Sequence, residues 1–262
     1  MTGAGLWRCV SASVIGSSHQ RVGTVCQDAH DCCVESDSTG SEILLATVAD
    51  GAGTAKRAEV GALTACTAIR KMASSFLQGN LIRNISRTTV EQWIDNFQQQ
   101  LSSIALGEGL ELRDFACTLL MSIIGPDTAV FFQIGDGAIV IADSEEFSYC
   151  HVFWPEMGEY ANMTFFATEA DFNERLLFTT VERNVVELAM FSDGLQRLAL
   201  DYSNHVPHGG FFKGIFPPLR RATHNTICQL NGDLYQFLGS DRVNTRTDDD
   251  KTLILASRIV ER

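Results

Sequence analysis

At 262 residues, 45% hydrophobic and 20% charged, the chain has the make-up of an ordinary globular protein, long enough to bury a sizeable core. Its formal net charge of −12 excludes the concentrated Lys/Arg surface that nucleic-acid binding needs, and invites cations instead. No stretch approaches the ~20 apolar residues of a membrane span, and residues 1–10, with one Arg and two interrupting glycines, lack a secretory h-region, so a cytoplasmic protein with no membrane partner is expected.

No repeat, low-complexity tract or linker divides the sequence, which predicts a single domain over residues 1–262. Residues 8–15 (RCVSASVI) and 43–49 (ILLATVA) are β-branched and apolar enough for strands, the second running into Asp50-Gly51. The period then changes. Ala62, Ala65, Cys66, Ile69, Met72 and Phe76 recur at helical spacing, with Arg70, Lys71 and Ser74 on the polar side, and predict a helix over 58–76. A capping box at Thr88-Thr89-Val90-Glu91, followed by Trp93, Ile94, Phe97, Leu101 and Ile104, predicts a second helix ending near Gly107. Strands follow at 115–124, 128–134 and 138–142, an antiparallel meander punctuated by Gly125-Pro126-Asp127 and Gly135-Asp136-Gly137. Residues 185–191 form another strand ending at Ser192-Asp193-Gly194, a short helix runs through Leu198, and 252–257 is the last strand. Residues 203–218, with two His, three Pro and three Phe, show no period and read as an irregular flap. Antiparallel runs with two long helices grouped between them give an α+β sandwich rather than a doubly wound sheet.

The eight cysteines (Cys9, Cys26, Cys32, Cys33, Cys66, Cys117, Cys150 and Cys228) show no CxxC pair and are expected to be reduced thiols. Four aspartates draw more attention: Asp50 in VADGAG, Asp136 in IGDGA, Asp193 in FSDGL, and Asp249 or a neighbour in TDDDKT. Each alone is an ordinary turn residue. Together they end or begin strongly apolar strands, so folding brings carboxylates to one edge, where divalent cations are the simplest way to relieve their repulsion. Gly51-Ala52-Gly53 after a strand fails as a dinucleotide fingerprint, because Lys56 stands at the third glycine position.

VADGAGTAKRAEVGA followed by a long helix, FACTLLMSIIGPDTAVFFQIGDGAIVIADSEEF, VVELAMFSDGLQRL and TDDDKTLILA, in this order, resemble the motifs of the PPM (phosphatase 2C) family. GSSHQRVGTVCQDAH is similar to the opening segment of a compact bacterial branch with Gln-Asp where the wider family has Glu-Asp, and the resemblance runs from about residue 10 to residue 258. It implies a four-layer α-β-β-α sandwich, two antiparallel sheets flanked by helices, and a phosphoprotein phosphatase acting on phosphoserine and phosphothreonine, with a cognate Ser/Thr kinase as a further partner. It also implies two Mg²⁺ or Mn²⁺ ions: Asp50 bridging, the Gly51 carbonyl on the second ion with Asp28 as a further ligand or as a hydrogen-bond acceptor behind the ligands, Asp193 and Asp249 on the first. Two such ions make hydroxide available near neutral pH and neutralise phosphoryl oxygens in an in-line displacement, with no cysteine nucleophile.

The same resemblance exposes departures. Asp136 matches a residue that helps hold a third metal, but Arg197 stands where its companion carboxylate is usual. Gln27 replaces the family's Glu, and Gly23 occupies the position of its phosphate-binding Arg, leaving His19 and Arg21 as the nearest candidates to contact substrate phosphate. Ala52 stands in place of the eukaryotic general-acid His. Glu159, Asn162 and Thr164 either line the site or set a turn, and His205 and His208 have metal-ligand chemistry without partners nearby. The alternatives are a feebly active or non-catalytic module that binds a phosphorylated partner, and a two-metal phosphoesterase acting on small molecules or nucleotides.

Overall fold

The computed structural model describes residues 7–143, 148–155 and 164–259. In chain order its strands and helices are β1 (Trp7–Val14), α1 (Ser17–Val22), β2 (Ala29–Ser36), β3 (Glu42–Ala49), α2 (Ala58–Leu77), α3 (Arg87–Glu108), β4 (Leu119–Ile124), β5 (Ala129–Ile134), β6 (Ala138–Asp143), β7 (Tyr149–His151), α4 (Phe172–Arg175), β8 (Leu177–Val181), β9 (Val185–Phe191), α5 (Gln196–Ala199), β10 (Leu200–Asp201), β11 (Val206–Pro207), α6 (Gly209–Arg221), α7 (His224–Leu238), α8 (Asp241–Asn244) and β12 (Lys251–Arg258). Two five-stranded sheets, in the orders β1-β12-β9-β6-β7 and β2-β3-β4-β5-β8, are antiparallel throughout.

Strand alternation divides the apolar residues into three layers. Leu44, Val48, Phe131, Leu188, Met190 and Ile254 fill the space between the sheets. On one outer face α2 and α3 cover the β3 sheet through Ala65, Ile69, Phe97 and Leu101. On the other, Ala189, Phe191, Leu253 and Leu255 meet Phe212, Phe216, Leu234 and Leu238 of α6 and α7. The result is the four-layer α-β-β-α sandwich. No helix among the described residues is long and apolar enough to cross a membrane.

Three differences from the predicted elements have local causes. The cap of α3 is Ser86, whose Oγ accepts from Thr89 N–H at 3.1 Å while Thr89 Oγ1 accepts from Ser86 N–H at 3.4 Å; Glu91 instead pairs with Arg87 one turn back. The strand predicted over 115–124 begins only at Leu119, because Leu112–Phe115 is a 3₁₀ turn and residues 116–118 bond to the Asp50 loop: Ala52 N–H donates to the Ala116 carbonyl and Thr118 N–H to the Asp50 carbonyl. Residues 203–218 are no flap. Most of the stretch belongs to α6, which buries Phe212, Phe216 and Leu219 along one stripe and is capped by His208 Nδ1 accepting from Phe211 N–H at 3.1 Å. Gly209, Gly210, Gly214, Pro217 and Pro218 lower its intrinsic propensity so far that only the packed apolar stripe accounts for it.

Candidate metal centre

Register brings the aspartates together. Ala29 lies opposite Ala49 across β2 and β3, so Asp28 and Asp50 are adjacent at one end of that sheet. Leu253 opposes Phe191 across β12 and β9, which sets the Asp248–Asp250 turn beside Asp193 at the matching end of the other sheet. The two backbones approach so closely that a Cβ on Gly194 would stand 2.0 Å from the Asp250 carbonyl oxygen, which explains glycine after Asp193. Ser192 ties the ends together: its Oγ donates to Asp28 Oδ2 at 2.7 Å and accepts from Thr252 N–H at 3.1 Å. Asp50 is fixed by its N–H donating to Thr118 Oγ1 at 2.9 Å.

The three consecutive aspartates divide their work. Asp250 is buried, and its carboxylate accepts from Gly16 N–H and Gln27 N–H, each at 2.6 Å. It is a structural clamp on the opening segment. Asp249 is exposed beside Gly194; its carboxylate accepts from the Asp250 N–H at 2.8 Å and its N–H donates to Thr247 Oγ1 at 3.3 Å. Asp248 pairs with Arg21 at 3.2 Å, and His19 Nδ1 lies 3.0 Å from Asp250 Oδ2. Both phosphate-contact candidates are thus engaged by the acidic turn. Gly23 sits at φ 75° as the left-handed cap of α1, a position an Arg would strain. Lys251, next to this turn, is buried and donates to Asn244 Oδ1 at 3.0 Å.

Burial and mutual repulsion dominate the electrostatics. Burial pushes Asp28 up to about 7, opposed by hydrogen bonds from Ser192 and Thr252 and reinforced by Asp250 and Asp193. Burial, then Asp28 and Asp193, hold Asp50 well above the carboxylate range, and a hydrogen bond shared with Asp193 adds to this. Asp193 is raised to about 6 by burial and by Asp136 and Asp249. Asp136 is raised by burial, against the hydrogen bond it accepts from Thr164 Oγ1 at 2.8 Å. Tyr202 donates to Gln196 Oε1 at 2.6 Å and Gln196 Nε2 donates to the Asp136 carbonyl, which fixes that turn. Thr164 therefore lies at the site, whereas Glu159 and Asn162 fall outside the described residues. His208 is a helix cap, and the His205 ring lies 5.1 Å from Trp154, tilted by 43°.

Asp28 Oδ1, Asp193 Oδ1 and Gln27 Oε1 are buried with no hydrogen-bond partner. An oxygen-only set of orphaned acceptors among raised carboxylates suits a hard divalent cation. As placed, no three His, Cys, Asp or Glu side chains among the described residues converge tightly enough to hold an ion by themselves, so Gln27 and backbone or water oxygens must complete any shell. The thiols stand apart: all eight cysteines are free, and burial pushes Cys26, beside Asp28 and Asp250, up to about 12.

A family model described as protein phosphatase 2C matches residues 15–239. The chain belongs to the protein phosphatase 2C family. It is 38% identical over 250 residues to serine/threonine-protein phosphatase 3 of Escherichia coli (strain K12), covering 95% of this chain and 98% of that one. Among solved structures, the S. agalactiae serine/threonine phosphatase superposes with a TM-score of 0.61 at 16% identity, over 98% of this chain and 100% of the other. Serine/threonine phosphatase Stp1 from Staphylococcus aureus gives 0.56 at 16% identity, over 100% and 98%. The phosphatase is a hydrolase whose sandwich matches theirs.

Proposed function

We propose that this phosphatase hydrolyses phosphoserine and phosphothreonine in proteins with two Mg²⁺ or Mn²⁺ ions held by Asp28, Asp50, Gly51, Asp193 and Asp249, as one catalytic domain working in the cytoplasm beside a Ser/Thr kinase. The observation that carries the reading is the meeting of Asp28, Asp50 and Asp193 at two sheet ends with buried oxygens left unpaired. When bound, such ions supply the charge that acidifies a water and neutralises phosphoryl oxygens.

The residues' own roles follow from their surroundings. Asp50, whose carboxylate feels both Asp28 and Asp193, would be the ligand shared by the two ions. Ser192 occupies one oxygen of Asp28 and leaves the other for the second ion. Gln27 Oε1, buried and unpaired, would offer that ion a neutral oxygen in place of a carboxylate, one charge fewer and hence a weaker hold. Asp250 holds Gly16 and Gln27 in place, which frees Asp249 as the ligand beside Asp193. Asp136 would serve a third ion, but the cationic Arg197 disfavours one.

The test is turnover of a phosphoserine or phosphothreonine peptide and of p-nitrophenyl phosphate with Mn²⁺, alongside calorimetric metal titration. Asp50→Asn and Asp193→Asn each lower turnover by at least about a hundredfold to a thousandfold and weaken metal binding, with the thermal transition retained. Unchanged turnover in both variants, or no divalent binding at millimolar concentration, would overturn the reading.

A further inference from the structure

A second concavity lies away from the carboxylates, on the outer face of the β12 sheet. α6 and α7 both pack on that sheet, yet between them opens a cleft of about 380 Å³. Val10 and Leu255 form its floor, Ile215 and Leu219 one wall, Leu230 and Phe237 the other. That volume falls within the roughly 300–1,000 Å³ of small-molecule sites. α6 leaves the room by its composition. A Cβ placed on Gly214 meets no heavy atom within 4 Å, and Pro218 brings no N–H for the Gly214 carbonyl.

Two charged residues line the cleft, Asp233 on α7 and Arg242 on α8. Both are exposed, and neither makes an ion pair with another described residue. A purely apolar ligand would leave both charges unused, and a simple anion received by Arg242 would also face Asp233. We propose that the cleft binds a small amphiphile with an apolar body and a head carrying one anionic and one cationic centre, the anion received by Arg242 and the cation by Asp233. The lining also includes Leu198 of α5, the helix that directly follows the 3₁₀ turn Asp193–Leu195. Occupation therefore bears on the position of the Asp193 carboxylate, and the ligand is an effector of turnover.

Calorimetry on the whole chain with N-decyl-N,N-dimethylglycine, decanoate and decyltrimethylammonium below their micelle concentrations, and decanol below its solubility limit, tests this without reference to catalysis. The betaine binds one-to-one and tightest. Arg242→Ala and Asp233→Ala, both exposed, each weaken it by about threefold to fivefold, and Gly214→Leu, which grows into open space, weakens it at least about tenfold. Saturating betaine changes p-nitrophenyl phosphate turnover in the natural protein and not in Gly214→Leu. No binding, equal binding of all four probes, or full binding by a folded Gly214→Leu overturns the site. Binding with unchanged turnover overturns the effector role. A concentration-dependent dimer that Leu230→Lys dissociates would make a second copy the occupant and overturn the small-molecule assignment.

Discussion

The two helical layers of the sandwich do the same job with opposite materials. α2 buries small residues, Gly61, Ala62, Ala65, Cys66, Ala68 and Ala73, and packs so close to the 3₁₀ turn ahead of β4 that a Cβ on Gly61 would stand 2.0 Å from the Phe115 carbonyl oxygen. α6 on the opposite face carries two prolines and three glycines, anchors through Phe212, Phe216 and Leu219, and leaves a cleft beside it. Asp50 lies between β3 and α2, in the dense half, while Asp193 and Asp249 come from the loosely covered half. The contrast teaches where rigidity is placed: the residue proposed to bridge both ions is held by the half with no room to move, and the ligands on the other side sit in the half that can be perturbed.

Loss of turnover in Asp50→Asn and Asp193→Asn is the largest effect expected, and it should be similar from either half, because both carboxylates serve one centre. Next comes packing. Phe97→Ala, in the dense half, should cost about 3–5 kcal/mol in urea unfolding, whereas Leu230→Ala, on the cleft wall, should cost well under half of that; equal costs would erase the contrast. Gly61→Ala should destabilise by about 1–3 kcal/mol as overpacking against the Phe115 backbone. Smallest and opposite in sign, Gly214→Ala should stabilise by up to about 1 kcal/mol through helix propensity, read as a raised unfolding midpoint.

Proton linkage sharpens the same picture at the junction of the two halves. Asp28, raised to about 7, and Asp193, raised to about 6, bind protons in the folded chain that the unfolded chain has released. Their stabilisation is present below the ordinary carboxylate range and is lost as pH rises through 6 and 7. His30 works the other way, since burial lowers it and its neutral form gains stability as pH rises. In a chelator, the melting temperature of the natural protein should therefore fall more steeply, or rise less, from pH 5 to pH 7.5 than that of Asp28→Asn. Adding Mn²⁺ should reverse the trend, because the ion binds the deprotonated carboxylates. Identical pH profiles for the two proteins in chelator would remove Asp28 from the buried acidic set.

Much of this was legible in the chain. Asp50, Asp136 and Asp193 each follow an apolar strand and precede a glycine, and that pattern alone singles them out. α2 and α3 were legible from their spacing alone. α6 was not, because glycine and proline mask a stripe that only the sheet rewards, and no element is predicted for α7, whose Leu230, Leu234 and Leu238 are diluted by polar neighbours. Within TDDDKT the sequence offers three equivalent carboxylates. Which of them clamps and which faces the site depends on strand register.

By itself, then, the sequence determined the strand ends, the acidic residues placed on them and the two departures at Gln27 and Gly23, since these follow from local period and residue chemistry. Only the tertiary structure decided that Asp250 is a clamp and Asp249 outward, that Gln27 presents a buried unpaired oxygen, that Gly23 is a left-handed cap, and that α6 leaves a cleft. Apart from the cap at Gly23, which bonds only the His19 and Gln20 carbonyls, these depend on backbone brought from residues far away in the chain, and local sequence carries no record of what will be packed against it.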